Sequence, residues 1–320
     1  MMKKIIIISG EPNSINPEII YKSWKKINKT IKKKIYVISN YRLLNEQFKL
    51  LNYRIRLKKV DSIQENESDD VLKILNVDLN YKKLSSIKKN DITLYINKSL
   101  TLAHNLALKN NILGIINCPI NKMHLKKFTG ATEFFAKKCL INDNSEVMLI
   151  RSNKLAVSPI TTHINIKNVA KNINKNLIIN KIKTINNCYK SFFGIKPKLA
   201  ILGLNPHNSE LRKDSEEVKL IIPAVKKLKK LGFKVSGPTP ADTLFINDYK
   251  KYDVIVGMFH DQVITPLKTL FKFDAINITL GLKYLRLSPD HGVASNIIGK
   301  NKANPESLIN CIKFINKYGK

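Results

Sequence analysis

The sequence is poor in cysteine and in the glycine motifs of nucleotide-binding proteins. Its four cysteines, at positions 118, 139, 188 and 311 of 320 residues, include no CxxC pair. This spacing provides neither a disulfide framework nor a zinc knuckle, so we expect a protein of the reducing cytoplasm. No GxGxxG follows the first apolar run, and no GxxxxGK[ST] or GxSxG occurs. These absences argue against a Rossmann dinucleotide site, a P-loop and an α/β-hydrolase nucleophile.

Arginine and acidic residues are also scarce, whereas lysine is abundant. The chain has 56 Lys and Arg against 24 Asp and Glu, which gives a formal net charge of +32, yet only six of the basic residues are Arg. Proteins that read nucleic acid favour the bidentate Arg fork and concentrate charge on one face. Here Lys is dispersed with Ile and Asn along the whole chain. We therefore expect no nucleic-acid partner, but a positive field that attracts phosphorylated or carboxylate metabolites.

Long hydrophobic runs are missing too. The start, MMKKIIIISGEP, imitates a signal peptide, but its apolar part, Ile5–Ile8, is too short for one and ends at a Gly-Glu-Pro turn. No window reaches the length of a membrane span. We expect Ile5–Ile8 to be a buried strand and the protein to be cytoplasmic, without a membrane partner.

Apolar, β-branched runs alternate with Lys-rich segments of helical periodicity. The predicted strands are Ile5–Ile8, Ile35–Ser39, Ile112–Cys118, Val147–Ile150, Leu199–Leu204, Val254–Met258 and Ala275–Leu280. The predicted helices are Pro17–Asn28, Leu100–Lys109, Lys167–Tyr189, Ser215–Leu231 and Pro305–Tyr318, the last with Asn304 as its N-cap. Residues 59–90 are polar and weakly periodic, and we expect an excursion with a short helix there. The alternation predicts an α/β fold with a largely parallel sheet.

Three histidines follow apolar runs, each inside a short polar turn: His163 in SPITTHI, His207 in ILGLNPHNSE and His260 in VIVGMFHDQ. In open α/β sheets, ligands bind at the carboxyl ends of the strands. Imidazole is the commonest nitrogen ligand of divalent metals, and three such donors leave positions open for a substrate. The pattern indicates a metal site; the alternative is three unrelated polar loop residues.

The C-terminal half contains the other candidate residues. Asp242 in GPTPADTLF precedes a helix, where it also suits an N-cap. Asp261 and Lys268 follow His260 in FHDQVITPLK, and NITLGLKYLRLSPDHG contains Asn277 and Arg286. An Arg retained among so many Lys residues is a candidate for bidentate contact with phosphate or carboxylate, although a surface ion pair is the alternative.

These segments, together with GEPNSINPE and GATEFFA, resemble the motif blocks of the 4-hydroxythreonine-4-phosphate dehydrogenase family of vitamin B6 biosynthesis. The resemblance runs in order from residue 9 to about 300. It implies a three-layer α/β/α fold similar to isocitrate and isopropylmalate dehydrogenases, with a cleft between two subdomains at a homodimer interface. The implied subdomains are residues 1–128 with 292–320, and residues 129–291.

The resemblance also implies roles for individual residues. It makes His163, His207 and His260 metal ligands, with His260 supplied by the other subunit, and Asp242 and Asp261 acidic residues close to the reacting atoms. The implied substrate-binding residues are Thr132, Lys268, Asn277 and Arg286. We expect zinc, with magnesium, manganese or cobalt as alternatives. Asp261 suits either a proton acceptor or a partner that orients a histidine.

A second resemblance concerns the cofactor. The segment HGVASNIIGKNKANPESL is similar to the adenosine-binding loop of isopropylmalate and isocitrate dehydrogenases. It implies that His291, Gly292, Ala294 and Asn304 border NAD or NADP. An ordinary loop before the C-terminal helix is the alternative.

The chain departs from the family pattern in two places. The family usually has GHTE where this chain has Gly130-Ala131-Thr132-Glu133, so Ala131 replaces a substrate-contacting histidine. His124 is a candidate to compensate, although its position is more typical of a helix surface. In the first loop, Ser14 and Asn16 stand where glycines are usual. We expect activity with an altered substrate pocket.

Other functions remain open from sequence. A sister dehydrogenase acting on 4-phospho-threonate or 4-phospho-erythronate would use the same groups. A phosphate acyltransferase of similar fold would need no metal. A basic nucleic-acid-binding protein would show salt-sensitive DNA retention.

Overall fold

A computed structural model describes residues 2–65, 68, 70–109, 111–125, 128, 130–141, 144–272 and 274–319. Its strands are β1 Lys4–Ile8, β2 Ile35–Ser39, β3 Arg56–Val60, β4 Val71–Asn76, β5 Ile112–Asn117, β6 Val147–Arg151, β7 Ala156–Thr161, β8 Leu199–Leu202, β9 Val235–Thr239, β10 Val254–Phe259, β11 Ile276–Leu280 and β12 Arg286–Pro289.

The α-helices are α1 Asn16–Lys26, α2 Lys29–Lys32, α3 Tyr41–Leu50, α4 Lys89–Ala107, α5 Ala131–Lys138, α6 Val169–Asn172, α7 Lys175–Phe193, α8 Ile222–Lys230, α9 Ala241–Leu244, α10 His260–Phe271 and α11 Glu306–Tyr318. The 3₁₀ turns are Leu84–Ser86, Lys122–His124, Ile166–Asn168, Asp248–Lys251 and Ser295–Ile297. Pro206–Leu211 is a turn with left-handed backbone, and Glu217–Ile221 is a π-helical turn before α8. None of the helices in the described part is long and apolar enough to cross a membrane.

The chain divides into two compact units, residues 1–139 with 283–320 and residues 140–282. The expected subdomains have the same discontinuous order, but their boundaries at 128/129 and 291/292 differ from those of the structure. The expected boundaries assign Thr132, Arg286 and His291 to the second subdomain. In the structure these three residues belong to the first unit.

In the first unit the strand order is β3-β4-β2-β1-β5-β12, and each neighbouring pair is parallel. Every residue of β1 and β2 is buried, which in a parallel sheet means that helices cover both faces. This agrees with the predicted α/β/α layering. The abundant Asn residues help to start the helices: Asn28 and Asn40 cap α2 and α3 by accepting hydrogen bonds from the backbone N–H of Ile31 and Leu43.

In the second unit the order is β11-β6-β7-β10-β8-β9. The pairs β11/β6 and β6/β7 are antiparallel, and the remaining pairs are parallel. The β7, β10 and β8 strands are therefore parallel neighbours whose carboxyl ends share one edge. Their side chains pack with those of α9 and α10 in an apolar core that includes Val157, Ala200, Ile255 and Leu267.

Several predicted elements differ from those in the structure. The excursion over residues 59–90 contains β4 and the beginning of α4, which starts well before Leu100. The predicted helix over 167–189 is interrupted, because Asn174 caps a new helix, α7. The strands β3, β4, β7, β9 and β12 are additional. Asn304 does accept a hydrogen bond from Glu306 N, but the residue before the first turn of α11 is Pro305.

Candidate active site

Two of the three predicted metal ligands lie together at the carboxyl edge of the second unit. Thr161 of β7 pairs with Phe259 of β10, and the next residues of each strand lead into His163 and His260. The two imidazole ring centres are 5.5 Å apart. Asp261 Oδ1 lies 2.6 Å from His260 Nδ1, which fixes the orientation of that ring and directs its Nε2 away from the carboxylate.

The third histidine, His207, follows β8 in a turn of unusual conformation. Residues 207 to 211 all have positive φ angles, between 46° and 57°. A left-handed backbone costs a non-glycine residue roughly 1–2 kcal/mol, so surrounding contacts must hold this turn. His207 is exposed, and its Nδ1 lies 4.0 Å from Asp242 Oδ2, a carboxylate that is itself 58% exposed.

The carboxylate of Glu217 is among the contacts that hold this turn. It is fully buried, and its Oε1 accepts hydrogen bonds from Leu204 N at 2.7 Å and Asn205 N at 2.8 Å. Burial by itself would raise the Glu217 pKa, but the hydrogen bonds from Asn205 and Leu204 outweigh this effect and lower the pKa. Glu217 is thus held as an anion beneath the His207 turn.

Within the described residues, no group of three or more His, Cys, Asp or Glu side chains lies close enough together to hold a metal ion. Within one chain, His163 and His260 lie close together, with Asp261 beside His260. His207 and Asp242 form a second pair. The imidazole nitrogens match the donor chemistry of zinc. The three histidines are therefore chemically suitable as candidate zinc ligands, but among the described residues one chain does not bring all three together.

The other predicted residues of the second unit lie on α10, β11 and α9. Lys268 is exposed on α10, eight residues and about two helical turns after His260. Asn277 is half-buried in β11, and its Oδ1 is buried without a hydrogen-bond donor among the described residues. Asp242 is in the first turn of the short helix α9, whose cap is Pro240, so the N-cap alternative for Asp242 is wrong.

Arg286 organises a buried cluster in the first unit. It begins β12, is only 2% exposed, and donates hydrogen bonds from Nε to Asn117 Oδ1 at 2.7 Å and from Nη1 to Thr132 Oγ1 at 3.1 Å. The guanidinium carbon lies 5.6 Å from the centre of the Phe135 ring. Burial lowers the Arg286 pKa to about 10, and the negative charge of Glu133 opposes that shift. Arg286 is therefore a buried cation at neutral pH, and the surface ion-pair alternative is wrong.

The structure brings predicted residues Thr132 and Arg286 together and adds Asn117, which sequence reasoning missed. Asn117 is the last residue of β5, directly before the Cys118-Pro119 turn. A polar residue that ends a buried apolar strand is the feature that singles it out. Next to Thr132, Glu133 Oε2 is buried without a hydrogen-bond partner in the described chain.

His124 does not lie on a helix surface, so that expectation is wrong. It is 3% exposed, in the 3₁₀ turn after β5, with Nε2 3.4 Å from Glu11 Oε2 and Nδ1 2.8 Å from Thr93 Oγ1. Burial lowers the pKa of His124 and raises that of Glu11. The turn after β5 is tied in this way to the loop after β1.

The predicted cofactor residues lie in the irregular segment between β12 and α11. His291 Nδ1 is 3.0 Å from Gly292 O, Ala294 has a φ of 48°, and Asn304 precedes α11. Within this unit, Ile298 and Gly299 of the same segment border a cavity of about 320 Å³; its other lining residues include Pro12, Ser14, Glu18, Gln47 and Leu84.

The comparisons with known proteins agree with one another. A profile of the family described as "Pyridoxal phosphate biosynthetic protein PdxA" matches residues 30–315. The chain is 37% identical to the 4-hydroxythreonine-4-phosphate dehydrogenase of Aquifex aeolicus over 98% of both chains. It is 38% identical to that of a Sulfurihydrogenibium species, over 98% of this chain and 97% of the relative.

Among solved structures, 4-hydroxythreonine-4-phosphate dehydrogenase from Klebsiella pneumoniae superimposes with a TM-score of 0.85 at 29% identity, over 98% of this chain and 97% of the other. Fold, motif order and sequence similarity over the whole length thus lead to one assignment. The chain belongs to the PdxA family of pyridoxal phosphate biosynthetic proteins.

Proposed function

We propose that this protein is a metal-dependent, NAD(P)-linked 4-hydroxythreonine-4-phosphate dehydrogenase. It oxidises the alcohol of 4-phosphohydroxy-L-threonine to 2-amino-3-oxo-4-phosphooxybutanoate, which loses carbon dioxide to give 3-amino-2-oxopropyl phosphate. The observation that carries the proposal is that His163, His207 and His260 follow the neighbouring strands β7, β8 and β10 at one carboxyl sheet edge, in a chain 37% identical to dehydrogenases of that name.

The metal ligands in this proposal are His163, His207 and His260. When bound, a divalent cation would lower the pKa of the substrate hydroxyl and stabilise the negative charge that develops as the carboxyl group leaves. Zinc suits imidazole donors best, and manganese, cobalt or magnesium are alternatives. Asp261 keeps the proton on His260 Nδ1 and so leaves Nε2 as the donor atom.

A homodimer would complete the divided ligand set. Large apolar side chains are exposed on the segments that carry the candidate ligands: Ile164 at 41%, Ile166 at 72%, Leu211 at 53% and Ile246 at 68%. Burial against a second copy of the chain would remove this surface from water. In this arrangement His260 of one subunit joins His163 and His207 of the other.

Mixed dimers test this arrangement. His163→Ala and His260→Ala are each inactive as homodimers in the proposal. If the ligands come from two subunits, each heterodimer has one intact site, so denaturing and refolding an equal mixture restores about a quarter of wild-type activity. If all three ligands come from one subunit, the mixture stays inactive.

In this proposal, cationic and polar side chains bind the substrate. Arg286 offers its planar fork to an anionic group, with Thr132 beside it, while Lys268 and Asn277 contribute an ammonium and an amide. Binding energy at these groups orients the reacting carbon. Asp242 and Asp261 are the carboxylates available to accept a proton, and the 2.6 Å contact with His260 supports an orienting role for Asp261.

The cofactor in the proposal is NAD or NADP, bordered by His291, Gly292, Ala294 and Asn304. The cavity of about 320 Å³ next to Ile298 and Gly299 supports this position, because the same loop provides one of its walls.

The experiment that tests the function is a direct assay. Purified protein is incubated with 4-phosphohydroxy-L-threonine, NAD or NADP and a divalent metal, and the absorbance of the reduced cofactor is followed with and without chelator. We expect turnover that chelation abolishes and added zinc, manganese or cobalt restores. Reduction of the cofactor that resists chelation would contradict the metal requirement, and no reduction of the cofactor with any of these metals would favour the acyltransferase-like alternative.

Ala131 supports a second candidate, oxidation of 4-phospho-threonate or 4-phospho-erythronate. This residue stands where the family usually has a substrate-contacting histidine, so the pocket differs at that point. Comparison of kcat/KM for the amino acid phosphate and the two acid phosphates decides between the two functions.

A further inference from the structure

The three histidine-bearing turns follow strands that lie side by side in the order β7-β10-β8. The strand that leads to His260 is thus in the middle. Hydrogen bonds between β10 and its two neighbours at this edge would therefore fix the distances between the three histidine-bearing turns of one chain. Two side chains, Gln262 and Thr161, form such links.

Gln262 links the His260 turn to the His207 turn. Its Oε1 accepts a hydrogen bond from Met258 N at 2.7 Å, and its Nε2 donates one to Gly203 O, also at 2.7 Å. Gly203 directly precedes the loop that leads to His207. A Cβ on Gly257 would lie 2.8 Å from Gln262 Oε1, so glycine at that position leaves room for the amide.

Thr161 links the His163 turn to the same strand. It is buried, and its Oγ1 donates a hydrogen bond of 2.7 Å to Met258 O. Both backbone polar groups of Met258, two residues before His260, are therefore held by side chains. The side chain of Thr161 belongs to the His163 turn, and that of Gln262 reaches the His207 loop.

We propose that Gln262 is a positioning residue. It holds the His260 turn, which serves the metal site of the partner subunit, at a fixed distance from the His207 turn of its own chain, and Thr161 holds the His163 turn in the same way. This inference rests on the proposed metal-dependent function. Groups that orient metal ligands typically change metal affinity by about 10- to 100-fold when they are removed. The proposal therefore predicts an effect on metal binding without direct contact with the metal.

A purely structural role for Gln262 predicts something different. As the third residue of α10, Gln262 also connects the first turn of the helix to the end of β10 through the backbone N–H of Met258. Gln262→Glu separates the two roles at pH 8, because the carboxylate still accepts from Met258 N but cannot donate to Gly203 O. A role confined to the bond with Met258 N tolerates this substitution, whereas a link to Gly203 O does not.

The test uses the full-length protein and two measurements. Zinc affinity is measured by competition with a chromogenic chelator for the wild type, Gln262→Glu, Gln262→Leu and Thr161→Val. Thr269→Val is the matched control, because Thr269 Oγ1 donates a hydrogen bond within its own helix, to Thr265 O. Independently, the imidazole resonances of 13C-histidine-labelled, metal-free protein are recorded, with His104, His124 and His291 of the first unit as internal references.

We expect Gln262→Glu to weaken zinc binding by about 10- to 100-fold, to shift the His207 and His260 resonances, and to leave the melting temperature close to that of the wild type. Thr161→Val should weaken zinc binding and shift His163. Zinc affinity and histidine spectra equal to wild type in Gln262→Glu would overturn the positioning role. Failure of the wild type itself to bind zinc would overturn the proposed metal centre, and the metal-free spectra would still decide whether Gln262 positions the histidine turns.

Discussion

Arg286 Nε donates a 2.7 Å hydrogen bond to Asn117 Oδ1, joining two residues 169 positions apart in the chain. The bond connects the beginning of β12 to the end of β5, which are parallel neighbours in the first unit. Because Asn117 occupies Nε and Thr132 contacts Nη1, the plane of the guanidinium is fixed before any ligand arrives. A preorganised cation of this kind loses little side-chain entropy on binding an anion.

Arg286→Lys therefore tests the substrate-binding proposal. Lysine keeps the charge but cannot contact Asn117, Thr132 and an anion with one planar group. Hydrogen bonds to charged groups contribute about 1.5–3 kcal/mol, so we expect kcat/KM to fall by about 10- to 100-fold. Steady-state kinetics measure this, with Arg42→Lys as the control, because Arg42 is exposed and its contacts are with Glu46 of the same helix and the Tyr81 ring. An equal, small effect of both substitutions would contradict the assignment.

Restoring the usual histidine tests the altered pocket. We expect Ala131→His to lower KM for 4-phosphohydroxy-L-threonine, because one additional hydrogen bond to a buried partner contributes about 1–3 kcal/mol. Lys137→His, on an exposed position of the same helix, is the control. An unchanged KM would indicate that the pocket has been rebuilt around Ala131 and would favour the acid phosphates as substrates.

Glu217→Gln tests the support of the left-handed turn. The amide retains one oxygen acceptor but loses the charge, so the hydrogen bonds to Leu204 N and Asn205 N weaken and we expect a loss of about 1–3 kcal/mol in the free energy of unfolding at pH 7. Since the folded-state pKa of Glu217 is lowered, its contribution is present above the ordinary value of 4.5 and is lost as the pH falls through the folded pKa.

Urea unfolding at pH 7 and at pH 4 checks this expectation. The difference between wild type and Glu217→Gln should shrink at the lower pH. Glu216→Gln is a suitable control, because the Glu216 carboxylate accepts only from the Asn205 side chain among the described contacts. A Glu217 effect that does not depend on pH would point to packing rather than charge.

Two buried histidines of the first unit predict a loss of stability in mild acid. A 2.7 Å hydrogen bond joins His104 Nδ1 and the Tyr284 hydroxyl. Burial lowers the pKa of His104, and the positive charges of Lys138 and Lys283 lower it further. The pKa of His124 is also lowered by burial. A lowered folded-state pKa means that stability is retained above the ordinary value of 6.5 and is lost as the pH falls below it.

Thermal unfolding between pH 7.5 and pH 5.5 measures this loss. We expect the melting temperature of the wild type to fall over that range, and His104→Gln and His124→Gln each to reduce the slope. His291→Gln, at a partly exposed position, is the control. Slopes equal to that of the wild type in both buried-site variants would show that other groups govern the acid response.

Local sequence patterns were sufficient to predict the main architecture. Consecutive Ile and Val residues bounded by turn residues identify buried parallel strands. Side chains alternate between the two faces of a sheet, so an unbroken apolar run fits a strand that is covered on both faces. For this reason β1, β2 and β5 begin and end within a residue or so of their predicted bounds. Strands with short or charged sequences, such as Arg56–Val60, were not predicted, because their exposed residues interrupt the continuous apolar run.

Contacts between distant residues could not be predicted in the same way. His124 is buried because Glu11 and Thr93, remote in sequence, close over it. The left-handed turn at His207 depends on the carboxylate of Glu217, ten residues later. No sequence pattern distinguishes Glu217 from its neighbour Glu216.

By itself, the sequence determined the layered α/β class, the family and the three strand-end histidines, because strand periodicity and motif order are properties of neighbouring residues. Only the tertiary structure decided that His163 and His260 approach each other, that Asn117 orients Arg286 and that Gln262 joins two turns. These contacts depend on which strands become neighbours in the sheet. Strand order is set by the packing of the whole unit, and no local run of residues encodes it.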